Sequence, residues 1–297
     1  MILQKLLSNF SVLILLVVST FIFNSCKGEN NKDKTISLEP YAIVDEDIDV
    51  EVSGLVQSPS FENIFWLHGD AGDEATIYPI DKEGERPENS NDDGVKLMAT
   101  DNEDWEDIAA DDEGNIYIGD IGNNCLCRDE LAILGFREPN ISSQRIFTID
   151  RYRFKYSGSF KNKKGKEIVP NAEALFYFEG TFYIITKEAK GTNTKLFKMS
   201  NPSASQMNSV DLLDTINFDD KVTGADISSS GDSVAILTFS SIWLLQEFTD
   251  DNFFSGTIQK VFFEANQVES IAFTNDSSLI IAEETGELYE IPFSAFN

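Results

Sequence analysis

The chain has 297 residues, 51 acidic against 23 basic side chains, a formal charge of −28, one histidine and three cysteines. That charge excludes a nucleic-acid binder, because polyphosphate would be repelled, and a single histidine excludes a three-histidine zinc site. A hydrophobic content of 41% is enough for a packed core, and the abundance of Phe, Tyr, Ile and Val favours β structure.

Residues 1–25 read as a secretory signal, with Lys5 as the positive start and residues 11–23 as the apolar centre. The segment closes on Phe23-Asn24-Ser25-Cys26. A small residue directly before a cysteine, after an apolar run, resembles a bacterial lipoprotein signal, although that pattern usually has Leu in place of Phe23 and a small residue in place of Asn24. The resemblance implies cleavage and acylation at Cys26, and so a lipid-anchored chain on a bacterial envelope, outside the cytoplasm. The same stretch also fits an uncleaved membrane helix, near the lower length limit for spanning. Residues 26–34 are polar and read as a flexible tether, which leaves residues 35–297 as one domain. If Cys26 carries lipid, only Cys125 and Cys127 remain. Their spacing is awkward for a disulfide and too sparse for a closed zinc site; they read as two thiols, a strained loop bridge, or a redox or metal pair.

The remaining chain repeats one pattern: a short apolar strand, a polar turn, and a stronger second strand ending in polar residues. The first strands begin at Ser53, Glu106, Glu173, Ala225 and Glu269, roughly 44 to 67 residues apart, a period that suits four-stranded propeller blades better than helical solenoids. Segments 75–80 and 95–99 complete the first copy, 194–199 and 210–216 the third, and 241–248 and 257–263 the fourth. The fifth has a third strand at 287–293 and then ends. Segment 35–43 is expected to supply its missing outer strand and close the ring. The expected fold is all-β, a single closed β-propeller of five four-stranded blades; the length of the second copy also accommodates six.

In the second copy, Asp104-Trp105-Glu106-Asp107-Ile108-Ala109, Gly119-Asp120-Ile121-Gly122-Asn123-Asn124, Arg128 and Arg137-Glu138-Pro139 resemble a family of secreted bacterial propellers with a DWEDIA…GDIGDN…R…EP signature. His68-Gly69-Asp70-Ala71-Gly72 and Glu173-Ala174-Leu175 match its flanking HNDSG and EAL elements. Asn123, Gly69 and Ala71 depart from the pattern, and the match covers roughly residues 50 to 190. The family implies no settled activity. A weaker likeness to SdiA-regulated and esterase-like phytase propellers implies a bound calcium and, more remotely, phosphatase chemistry.

Adjacent strands are antiparallel, so the start of each first strand and the end of each second strand share one edge around the channel mouth. That edge would gather Glu106, Glu173 and Glu269 with His68, Asp70, Asp120, Glu188, Glu283 and Glu284, with Asp226 one place further in. Crowded carboxylates repel unless protonated or neutralised by a cation, and hard oxygen donors favour Ca²⁺. Glu106, Asp120, Glu173 and Glu269 are the candidate ligands. The competing reading has these acids bond backbone N–H groups and pin the ring. His68, oriented by Asp70, is the candidate general base if the protein is a hydrolase, and otherwise a satisfied polar residue. Seven basic residues within 151–166 read as a solvated hairpin or as a patch for an anionic partner. Two functional classes follow: a lipid-anchored propeller that binds a ligand or envelope protein, and a calcium-dependent hydrolase of phosphoesters, esters or lactones.

Overall fold

A computed structural model describes residues 34–162, 164–274 and 278–297. The expected signal and the acylated Cys26 lie outside the described residues. No helix among the described residues is long and apolar enough to cross a membrane.

Among the described residues, strands account for nearly all the regular structure, with two short 3₁₀ turns, Phe253–Ser255 and Phe293–Phe296. The strands form consecutive antiparallel meanders. The first unit comprises Val52–Gln57, Ile64–Gly69, Thr76–Asp81 and Val95–Leu97. The second comprises Trp105–Ala110, Asn115–Asp120, Leu131–Arg137 and Asp150–Tyr156, and the third Ala172–Phe178, Thr181–Thr186, Thr194–Ser200 and Asn208–Ile216. The fourth comprises Val222–Ile227, Ser233–Thr238, Ser241–Gln246 and Thr257–Phe262, and the fifth Val268–Thr274, Ser278–Glu283 and Glu287–Pro292. This is an all-β, propeller-like arrangement.

The segment expected to close the last unit divides its work. Ala42–Ile43 pairs antiparallel with Glu287–Pro292, as expected, whereas Lys34–Thr35 runs parallel to the outer strand of the fourth unit. The extra length of the second copy goes into Arg145–Ile146, which returns to the edge of the first unit, and into the small hairpin Phe160–Lys161/Glu167–Ile168. A short parallel pairing between Asp150–Tyr156 and Asn208–Ile216 joins the second and third units into one eight-stranded sheet.

Strand alternation builds the core. Successive side chains leave opposite faces of a sheet, so Ile116 and Ile118 pack towards the first unit while Tyr117 packs towards the third. The same logic gives an apolar layer between each unit and the next. Trp66 and Trp105 fill the layer between the first and second units; Leu55 and Leu67 meet Ala272 and Ile280 between the fifth and the first. Both tryptophans are fully buried, and truncating either to alanine should cost about 3–5 kcal/mol.

A β-bulge recurs at the start of every first strand, where the register shifts across Val52/Gly54, Trp105/Asp107, Ala172/Ala174, Val222/Gly224 and Val268/Ser270. The bulged residues are therefore Ser53, Glu106, Glu173, Thr223 and Glu269. A bulge re-aims the side chain it carries. This corrects the register read for the fourth copy: its equivalent residue is Thr223, not Ala225. Ser53 Oγ donates to the carbonyls of Trp105 and Glu106, at 3.2 and 3.0 Å, and Thr223 Oγ1 donates to the carbonyl of Val268 at 2.9 Å. Each hydroxyl thus ties its bulge to the next unit.

Just beyond the bulge, the buried Asp107 carboxylate accepts N–H groups from Ile108, Leu175 and Ala225, at 2.9, 2.8 and 3.1 Å. One side chain joins three units, so in the second unit the pinning role expected of Glu106 belongs to its neighbour, while Asp226 pins the fourth unit to the fifth through Phe273 N–H.

Candidate functional site

Four of the five bulged residues, Ser53, Glu106, Glu173 and Glu269, line a cavity of about 270 Å³ together with Asp70, Glu284, Asn124, Lys187 and Lys221. Three of the four residues expected to hold a cation, Glu106, Glu173 and Glu269, are brought together here. The fourth is not. Asp120 is fully buried and pairs with Arg128 at 2.6 Å and Arg151 at 3.4 Å. Burial pushes its pKa up, and the two guanidinium groups pull it back. Glu188 pairs with Lys195, and Glu283 accepts Asn266 N–H and Tyr289 O–H, so neither strand-end acid reaches the cavity. Asp226 is also absent from it; its carboxylate accepts Ile227 and Phe273 N–H groups at 2.8 Å each and borders a separate cavity of about 990 Å³ formed by the turns between first and second strands.

His68 does not meet Asp70. It is completely buried, with Nδ1 2.9 Å from the carbonyl of Gly69 and its ring edge-on to Trp105 at 5.5 Å. The ring occupies space left by Gly54, where a Cβ would stand 2.3 Å from Nε2. Burial lowers its pKa to about 4, which leaves a neutral imidazole sealed between strands.

Asp104 completes the site. It was part of the motif in the second copy but carried no expected role. One oxygen each from Asp70, Asp104 and Glu106 can lie within 4.8 Å of one another. Two local devices hold them. Asn102 donates to the carbonyls of Gly69 and Asp70, at 3.0 and 2.7 Å, while its Oδ1 accepts Trp105 N–H at 3.0 Å, which clamps the two loops together. Gly122 gives up side-chain space: a Cβ there would sit 2.0 Å from Glu106 Oε1 and 2.5 Å from Asp104 Oδ2.

The electrostatics differ across the mouth. Lys187 Nζ lies 2.7 Å from Glu173 and 3.9 Å from Glu269, and 5.3 Å from the ring centre of Phe239. Burial alone would lower its pKa, but the neighbouring carboxylates outweigh burial and raise it. Burial raises Glu269 to about 8 despite Lys187. On the other side, Asp70, Asp104 and Glu106 make no ion pair among the described residues. Burial, then repulsion from Asp70, raises Asp104 to about 6. Burial, then Glu173, raises Glu106 well above the carboxylate range. Glu106 is 5% exposed and its Oε1 has no hydrogen-bond partner. An all-oxygen group of this kind has the chemistry of a calcium or magnesium site.

Cys125 and Cys127 are joined by a disulfide, with Cα atoms 5.2 Å apart. Of the expected alternatives, the loop bridge is the one present.

No family model and no curated protein sequence matches the chain. Among solved structures, it is similar to hydrazine synthase of Kuenenia stuttgartiensis at 10% identity, covering 78% of this chain and 69% of that one, with a TM-score of 0.42. It is also similar to a streptogramin B lyase at 11% identity, covering 85% and 96%, with a TM-score of 0.43. Neither likeness is close enough to bear on function.

Proposed function

We propose that this chain is a five-bladed, ligand-binding β-propeller, lipid-anchored at Cys26 on the outside of a bacterial cytoplasm, with a calcium ion at its channel mouth held by Asp70, Asp104 and Glu106. The five-bladed reading is supported by the five apolar layers, the last of which joins the fifth unit to the first. The anchor reading is supported by the apolar run 11–23 ahead of Ser25-Cys26; an unmodified, uncleaved N-terminus on the mature protein, seen by mass spectrometry, would end it.

The cation reading rests on one observation. Glu106 Oε1 is buried without a partner while two further carboxylates approach it. A buried, unpaired carboxylate oxygen is costly, and a hard cation would satisfy all three groups together. Calcium fits better than zinc because no nitrogen or sulfur donor stands in the group. Glu173 completes the inner wall, but Lys187 already holds it.

Binding is a better reading than hydrolysis because His68, the one imidazole, is sealed away from the cavity. Thermal unfolding of the purified chain, with and without millimolar calcium after chelation, is the test. A clear rise in Tm supports the reading, and no shift would count against it.

A further inference from the structure

We propose that Cys125–Cys127 is a thiol–disulfide exchange site at the channel mouth, whose co-reactant is a dithiol, rather than a structural staple. Both cysteines are exposed. A single residue, Leu126, separates them, and it adopts φ +51°, in the left-handed region that a non-glycine side chain disfavours. The stabilisation a disulfide gives through the unfolded state grows with the loop it closes, and this loop is about as short as one can be.

Nor does the loop need the bond. Asn123 is buried and organises the turn: its Oδ1 accepts the N–H groups of Cys127 and Arg128 at 2.9 Å each, and its carbonyl accepts Leu126 N–H at 2.8 Å. Its Nδ2 reaches the carbonyl of Val169 at 3.0 Å. Cys125 Sγ lies 3.7 Å from the same Oδ1, so a reduced thiol has an acceptor in place. An exposed bond in a locally strained loop that is otherwise fully held has the features of an exchangeable disulfide. Asn124, immediately before it, lines the cavity, so a partner reaching the sulfurs meets the mouth of the channel.

The chemistry balances with the dithiol alone. One thiolate of the reductant attacks a cysteine sulfur, the Cys125–Cys127 bond breaks, and the released thiolate is protonated. The second thiol of the reductant then attacks the mixed disulfide and expels the other cysteine. The protein gains two thiols and the reductant leaves as a disulfide.

The test uses the full-length native protein in dithiothreitol at about 1 mM, followed by alkylation and peptide mass spectrometry to locate the thiols. The expected result is reduction of Cys125 and Cys127 within minutes, reoxidation by oxidised glutathione, and a Tm changed by no more than about 2 °C. Full-length Cys127→Ser should trap a glutathione adduct on Cys125. Resistance of the bond until the protein unfolds, or a large loss of Tm on reduction, would overturn the proposal, as would failure of Cys127→Ser to form the adduct. None of these readouts depends on calcium.

Discussion

The two sides of the 270 Å³ cavity handle buried acids in opposite ways. On one, Glu173 and Glu269 gather around Lys187, whose ammonium reaches the first at 2.7 Å. On the other, Asp70, Asp104 and Glu106 face one another with no ion pair among the described residues, and an oxygen of Glu106 has no hydrogen-bond partner among them. Glu106, Glu173 and Glu269 all sit on the same bulge, so that backbone feature does not separate the two sides. The difference is whether the chain supplies its own cation. Lys187 is provided by the end of the third unit's second strand; the second unit sends its nearest cation, Arg128, to Asp120.

The largest expected effect tests the paired side. Lys187→Met should destabilise the fold by about 3 kcal/mol, because removing one partner strands the other's buried charge. Urea unfolding without added metal measures it. A loss well under ~1 kcal/mol would mean that the cavity tolerates Glu173 and Glu269 without the Lys187 ammonium, and the contrast between the two sides would disappear.

Gly122→Ala probes the unpaired side. The added Cβ would displace Glu106 and Asp104, which should cost about 1–3 kcal/mol and weaken calcium binding without touching Lys187. An unchanged calcium affinity, followed by titration calorimetry, would separate the glycine from the proposed site.

The smallest effect is in pH. Burial and Asp70 raise Asp104 to about 6 from 3.8. A carboxyl with a raised folded pKa contributes stability that is fully present below its unfolded pKa and is lost as pH climbs through the folded one. Without metal, stability should therefore fall between about pH 4 and 6, by about 1 kcal/mol after allowance for the half-exposed position of Asp104. Calcium, which favours the ionised form, should flatten the part of that slope due to Asp104, and Asp104→Asn should remove that part while leaving the contributions of Glu106 and Glu269. Denaturant midpoints across this pH range check all three statements.

The same contrast marks what was legible in the amino-acid sequence. The five repeated units and the closing role of Ala42–Ile43 follow from strand alternation and repeated turns, which are local signals. Glu106, Glu173 and Glu269 could be grouped because each opens the first strand of its copy; the bulge at that position was not legible. Asp120 was misread because its partner, Arg128, arrives from a loop eight residues later and turns it inward, a side-chain choice that strand spacing does not encode. His68 looked like a base because its burial depends on Gly54 in the neighbouring strand. Asp226 was placed at the rim because Ala225 was taken as the start of the fourth copy's first strand, whereas that strand begins at Val222 and carries its bulge at Thr223, where no acid marks it. Asp104 was missed because it lies just before the first strand, outside the repeat; its place in the DWEDIA-like stretch was the only signal available.

Calcium titration calorimetry on the metal-free chain, run beside Glu106→Gln, tests the central claim most directly. The expected result is one saturable site in the parent and at least a roughly 100-fold loss of affinity in the variant, equivalent to about 2.7 kcal/mol. The variant should also unfold at equal or higher denaturant than the metal-free parent, because a buried repulsion has been removed. Equal calcium heats from the two proteins, or none from either, would contradict it.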